Sequence, residues 1–108
     1  MESTATVERL RFLSESQVIH LASTHELPVF VYSETEIINQ IKKALNFPVN
    51  DGFGLTVRYA MKANPSRAIL RIMQRFGVQI DASSEYEAFR ALAAGTVYQY
   101  QYLNKITV

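Results

Sequence analysis

In Leu55-Thr56-Val57-Arg58-Tyr59-Ala60-Met61-Lys62-Ala63-Asn64-Pro65, large apolar side chains alternate with polar or small ones. Successive side chains of a strand point to opposite faces. The pattern therefore predicts a strand over 55–63, with Leu55, Val57, Tyr59 and Met61 on one side and Thr56, Arg58, Ala60 and Lys62 on the other. Asn64-Pro65 then reads as a helix start, because Asn is a good N-cap and Pro suits the first helical position. Ile69, Leu70, Ile72, Met73 and Phe76 make an apolar stripe at helical spacing, and Gly77 suits a left-handed stop. Val78 to Asp81 reads as a further strand. Ser84 with Glu87 forms a capping-box pattern ahead of a helix whose expected apolar face is Phe89, Leu92 and Ala93, ending at Gly95.

The same alternation extends upstream. Pro28-Val29-Phe30-Val31-Tyr32 is β-branched and aromatic and predicts a strand. Ser33 and Glu36 form a first capping-box pattern, and Ile37, Ile38, Ile41, Ala44 and Leu45 mark one face of the helix that follows. Phe47-Pro48 and Asn50-Asp51-Gly52 end it. The resulting order, β-α-β-α-β-α with short links, predicts parallel strands joined by right-handed crossovers, an α/β fold. Three regions are expected: a helical segment over 1–26, the β/α units over 27–95, and a divergent tail over 96–108 in which Tyr98, Tyr100 and Tyr102 alternate with Gln99 and Gln101.

Composition narrows the function classes. The chain has 108 residues, a 48% hydrophobic fraction and a net charge of +1, values of a globular domain without broad attraction for nucleic acid or anionic lipid. Its start, with Glu2, Glu8, Arg9 and Arg11, resembles neither a secretory signal nor a membrane span, so cytoplasm is the default compartment. The absence of cysteine excludes disulfides, thiolate nucleophiles and cysteine metal sites. No metal site is expected from His20 and His25, which lack a companion ligand at useful spacing. Gly52-Phe53-Gly54 reads as a turn rather than a phosphate cradle, and Arg67, Arg71 and Arg75 read as one solvated helix face.

Lys62 has two readings on position alone. One is a side chain extending from a strand end into water. The other is a reactive amine, since a lysine shielded from water favours the neutral form that attacks carbonyls. The surrounding blocks decide between them. Tyr59-Ala60-Met61-Lys62-Ala63-Asn64-Pro65, then Gly77-Val78-Gln79-Ile80-Asp81-Ala82-Ser83-Ser84-Glu85-Tyr86-Glu87, then Ala91-Leu92-Ala93-Ala94-Gly95, closely resemble the fold-type III decarboxylases of diaminopimelate, ornithine and arginine. Leu27-Pro28-Val29-Phe30-Val31-Tyr32 resembles the entry to that family's N-terminal region, so the likeness spans roughly residues 21–95. Among the branches, Tyr59 to Asn64 is nearest diaminopimelate decarboxylase. Alanine racemases share Lys-Ala-Asn but usually continue differently from Pro65-Ser66-Arg67-Ala68, and the small cofactor-homeostasis barrels lack the Asp81–Ser84 block.

The resemblance implies a partial, incomplete (β/α)8 barrel, since a whole one needs about 250 residues. It implies pyridoxal 5'-phosphate as cofactor, Lys62 as the catalytic lysine that carries it, Asp81 as an acid near that lysine and the ring, and an amino acid as the small-molecule substrate. Asp81 also reads as a plain strand end. Glu87 matches a second family acid, although the capping box explains it equally. The family's glycine-rich phosphate loop and the acid paired with the pyridine nitrogen belong to later segments. The chain is thus expected to be the N-terminal portion of such an enzyme, with little or no activity alone. Two alternatives stand beside this: a non-catalytic protein that associates through an uncovered sheet edge, or a gene remnant.

Overall fold

The computed structural model describes residues 11–95. Contacts divide the chain into two units, Met1–Ser33 and Glu34–Val108. In the first, the described element is helix α1, Glu15–Thr24. It opens with a reciprocal capping box. The Ser14 hydroxyl accepts from the Gln17 amide at 3.3 Å, and the Gln17 side-chain oxygen accepts from the Ser14 amide at 2.9 Å. This helix falls within the helical segment expected over 1–26, whose part before residue 11 lies outside the described residues. The predicted strand at Pro28–Tyr32 does not form: residues 28–32 run without regular structure, and Phe30 is 89% exposed. A β-branched run becomes a strand only where a neighbour accepts its backbone groups, and propensity alone supplies no such partner.

The second unit runs α2 (Glu34–Leu45), β1 (Arg58–Ala60), a 3-10 turn (Met61–Ala63), α3 (Arg67–Arg75), β2 (Gln79–Asp81) and α4 (Glu85–Ala93). Helix α2 begins directly after Ser33, and Ile41 is its buried residue, with Ile37, Ile38 and Ala44 half-buried beside it. A turn closed by the Phe53 amide on the Asn50 carbonyl follows, with Gly52 at φ 87°. The two strands pair in parallel, with Arg58 opposite Gln79, Tyr59 opposite Ile80 and Ala60 opposite Asp81. Helix α3 makes the crossover between them and packs on β2, α2 and α4. Two strands therefore stand, among the described residues, where three were expected, and β1 is shorter than the predicted 55–63.

From Val57 onward, alternation nonetheless sorts the side chains as expected, whereas Leu55, expected on the inner side, is exposed. Val57, Tyr59 and Met61 turn inward; Thr56, Arg58, Ala60 and Lys62 are exposed. The core consists of Met61, Leu70, Ala82, Ala91 and Ala94, with Tyr59, Ile80 and Ala88 packed against it. Ile69 and Leu70 are buried on α3, while Ile72, Met73 and Phe76 are half-buried.

Gly77 ends α3 as predicted. At φ 77° its amide donates to the Gln74 carbonyl at 3.0 Å, and the Val78 amide reaches the Met73 carbonyl at 3.0 Å, which is the Schellman arrangement. The α4 face differs from expectation. Ala88, Ala91 and Ala94 pack inward, Leu92 is half-buried, and Phe89 (61%) is exposed along with Ala93. Small residues at three-residue spacing let the helix backbone approach the core closely, and Phe89 does not fit that seam.

Candidate active site

Two strand-to-helix junctions sit side by side at the carboxyl ends of β1 and β2. Tyr59 and Ile80, paired in register, face the core; Ala60 and Asp81, the next pair, face outward. Arg58 and Gln79 share this outer face, where the Arg58 Nε donates to the Gln79 side-chain oxygen at 3.1 Å. Lys62 leaves the 3-10 turn that follows β1, and both it and Asp81 are exposed. Strand β1 ends at Ala60, so Lys62 stands one turn beyond the strand rather than within it. Among the described residues, the side chains of Lys62 and Asp81 have no hydrogen-bond or ion-pair partner.

The residues around Lys62 explain why the chain turns there. Met61 is 0% exposed, the deepest side chain of the core, and fixes the turn from below. The Tyr59 hydroxyl donates to the Asn64 carbonyl at 3.0 Å, closing the segment that carries Lys62. The Asn64 side-chain oxygen accepts from the Ser66 amide at 3.1 Å, a local turn that competes with helix. That bond delays α3: its N-cap is Ser66, not the predicted Asn64, and Pro65 precedes the helix instead of occupying its first position.

The Asp81 side is held differently. Ala82, 2% exposed, anchors the loop in the core. Ser84 caps α4, its hydroxyl accepting from the Glu87 amide at 3.1 Å. The Glu87 carboxylate does not return to Ser84, as a capping box would have it. It accepts from the Ser83 amide at 2.8 Å and the Ser83 hydroxyl at 3.0 Å, one residue nearer Asp81. Ser83 and Ser84 thus serve the turn and the cap, and Glu87 clamps the loop after Asp81.

Sequence reasoning missed Tyr59 and Asn64 as the fasteners of the Lys62 turn; a tyrosine on the core face just before a turn was the available signal. The arginine row is exposed, as expected, and two of its members also make contacts that the spacing did not indicate. Arg71 Nε donates to the Ala94 carbonyl at 3.4 Å, and Arg75 pairs with Glu34 at the start of α2 while its guanidinium lies 5.3 Å from the Phe76 ring centre. These arginines tie α3 to its neighbours, although they remain exposed. Gln74 adds to the α4 contact by donating to the Gly95 carbonyl at 2.6 Å.

A primary amine and a carboxylate at neighbouring strand ends fit the aldehyde end of a pyridoxal group; among the described residues no cradle for its phosphate is formed. A separate depression of about 380 Å³ in the first unit, lined by Leu13, Ser16, Gln17, His20, Leu21 and Val31, contains neither residue. No helix among the described residues is long and apolar enough to cross a membrane.

Comparison with known proteins points to one family. Residues 34–99 match the family described as pyridoxal-dependent decarboxylase, pyridoxal binding domain. Over 74 residues the chain is 42% identical to the diaminopimelate decarboxylase of Streptomyces coelicolor, covering 68% of this chain and 15% of that protein. Over 83 residues it is 37% identical to the diaminopimelate decarboxylase of Escherichia coli, covering 77% and 18%. Over 80 residues it is 31% identical to the diaminopimelate decarboxylase of Methanothermobacter thermautotrophicus, covering 74% and 19%. The chain therefore spans less than a fifth of the length of these relatives. No solved structure matches it at a significant level.

Proposed function

Because this chain belongs to the pyridoxal-dependent decarboxylase family through that family's pyridoxal binding domain, we propose that it is the lysine-bearing portion of a pyridoxal-phosphate-dependent amino-acid decarboxylase of the diaminopimelate decarboxylase kind. Lys62 is then the residue that carries the cofactor, and Asp81 the acid beside it. The observation that supports this most is that Lys62 and Asp81, both exposed, stand at or just beyond the carboxyl ends of adjacent parallel strands. Those ends are where α/β folds collect their reacting groups.

The chain's own residues have definite tasks in this reading. Lys62 offers a primary amine to an aldehyde. Asp81 holds a carboxylate free to accept from a donor on the bound group. Met61, Tyr59 and Asn64 keep the amine's turn in place, while Ala82, Ser83 and Glu87 do the same for the carboxylate's loop. When bound, pyridoxal phosphate supplies the electron sink for the pair left behind as carbon dioxide departs. The two strands and their crossover helix are read as consecutive units of a (β/α)8 barrel. The outer face of Arg58, Ala60, Gln79 and Asp81 is then the barrel's inner side. An exposed face is unusual in a parallel sheet, whose faces are both normally covered, and that supports the incomplete-barrel reading. On its own the 108-residue chain is expected to capture the cofactor at Lys62 without decarboxylating an amino acid.

The test is covalent trapping. The chain is incubated with pyridoxal phosphate, reduced with borohydride, digested, and mapped by mass spectrometry across Lys42, Lys43, Lys62 and Lys105. Modification concentrated on Lys62 and lost in Lys62→Ala is the expected result. Equal modification of Lys42, Lys43 and Lys62 would overturn the assignment, because Lys42 and Lys43 are ordinary exposed amines in the last turn of α2.

A further inference from the structure

We infer that Tyr59 is a positioning residue for Lys62, acting through its hydroxyl; this rests on the cofactor-lysine reading above. The side chain is bifunctional. Its ring packs against the core cluster of Met61, Leu70, Ala82, Ala91 and Ala94, while its hydroxyl donates to the Asn64 carbonyl at 3.0 Å. Between donor and acceptor lie Ala60, Met61, Lys62 and Ala63, so the bond closes a loop that carries Lys62 as its exposed charged side chain.

The geometry gives this bond a role that packing alone does not fill. The 3-10 turn at Met61–Ala63 has no side-chain cap at its N-terminus, and its C-terminal neighbour Asn64 is extended, at φ −160°. A turn this short has one or two internal hydrogen bonds and weaker geometry than an α-helix. Met61 anchors one of its residues in the core, but an anchor at a single point leaves the peptide planes on either side free to rotate. The Tyr59 bond supplies a second fixed point on the far side of Lys62. With both in place, the Lys62 Cα–Cβ direction is set relative to the end of β2 and Asp81, and only the methylene stem remains free. Ordering the backbone before the amine reacts removes part of the entropy that would otherwise be lost on capture.

Tyr59→Phe deletes the hydroxyl and keeps the ring in the core. The measurement is the partition of reductively trapped pyridoxal phosphate between Lys62 and the pair Lys42 and Lys43 of the same molecules. Because those lysines belong to α2, they report the reagent and the general condition of the protein. The ratio is expected to fall about two- to tenfold in Tyr59→Phe, the range for losing one neutral hydrogen bond. Gln74→Ala serves as the matched control. It removes a comparable bond, the 2.6 Å contact to the Gly95 carbonyl, from a part of the unit that does not touch the turn, and its ratio should equal the parent's. A Tyr59→Phe ratio equal to the parent's, or equal falls in both variants, would overturn the inference. A parent chain that shows no preference for Lys62 would overturn the cofactor-lysine reading instead, so the two failures are distinguishable.

Discussion

The junctions after β1 and β2 solve the same problem with different chemistry. Each strand ends in an outward residue, Ala60 or Asp81, followed by a side chain sunk in the core, Met61 or Ala82. Each then needs a hydrogen bond to hold the exposed turn. After β1 the bond comes from behind, from the neutral hydroxyl of Tyr59 on the strand itself. After β2 it comes from ahead, from the carboxylate of Glu87 on α4, and α4 is capped by Ser84. The first junction depends on a large buried side chain and one neutral bond. The second depends on a small buried side chain and a charged clamp. The amine and the carboxylate of the proposed site therefore answer to different perturbations, although their strands are paired residue by residue.

The largest expected effect breaks the first junction at its anchor. Met61→Ala removes a fully buried side chain shared by both sheet and helices and should destabilise the second unit by about 2–5 kcal/mol, the range for such truncations in a closed core. Urea denaturation followed by circular dichroism measures it. The second junction has no equivalent weakness, since Ala82 is already small. A loss below about 1 kcal/mol for Met61→Ala would mean that the turn does not depend on that anchor.

Next comes the clamp. Glu87→Ala leaves the Ser83 amide and hydroxyl without their shared acceptor, and a charge-assisted bond is worth about 1.5–3 kcal/mol before the discount for solvent exposure here. Amide hydrogen exchange sharpens the comparison better than global stability does. Exchange at Ser83 should accelerate several-fold, while that at Leu70, whose amide bonds the Ser66 carbonyl beyond the other junction, should stay as it was. Acceleration at both amides would show that the junctions are coupled rather than separately held.

Much of this was legible before any coordinates. Period-two alternation placed Tyr59 and Met61 inside and Arg58, Ala60 and Lys62 outside, because that rule depends only on strand geometry. The α3 stripe and the Gly77 stop were equally readable, being local. What was not legible depended on partners distant in sequence. The run Pro28–Tyr32 has every local mark of a strand and pairs with nothing among the described residues. The inner face of α4 is set by the close approach of α3 and by packing on the core cluster, which selects Ala88, Ala91 and Ala94 over the more apolar Phe89. At the site, the residue types of Lys62 and Asp81 were apparent, but that the junctions carrying them are neighbours needed the pairing of β1 with β2. The Glu87 pattern was seen, yet which serine its carboxylate would reach was decided by the loop and not by spacing.

The smallest expected effect concerns the two serines that precede α3 and α4, and it isolates capping from everything else. Both occupy the N-cap position. The Ser84 hydroxyl accepts from the Glu87 amide, whereas the Ser66 side chain makes no capping bond, and the Ser66 amide donates to the Asn64 side chain instead. Ser84→Ala should therefore lower stability by about 1 kcal/mol, and Ser66→Ala by a few tenths at most. The two substitutions remove the same atom from the same formal position, so their difference in urea midpoint reads the bond and not the residue type. Equal losses would mean that the hydroxyl of Ser66 caps α3 in solution. The turn carrying Lys62 would then be held from its helix as well as from Tyr59, which would bring the two junctions closer in design than their hydrogen bonds make them.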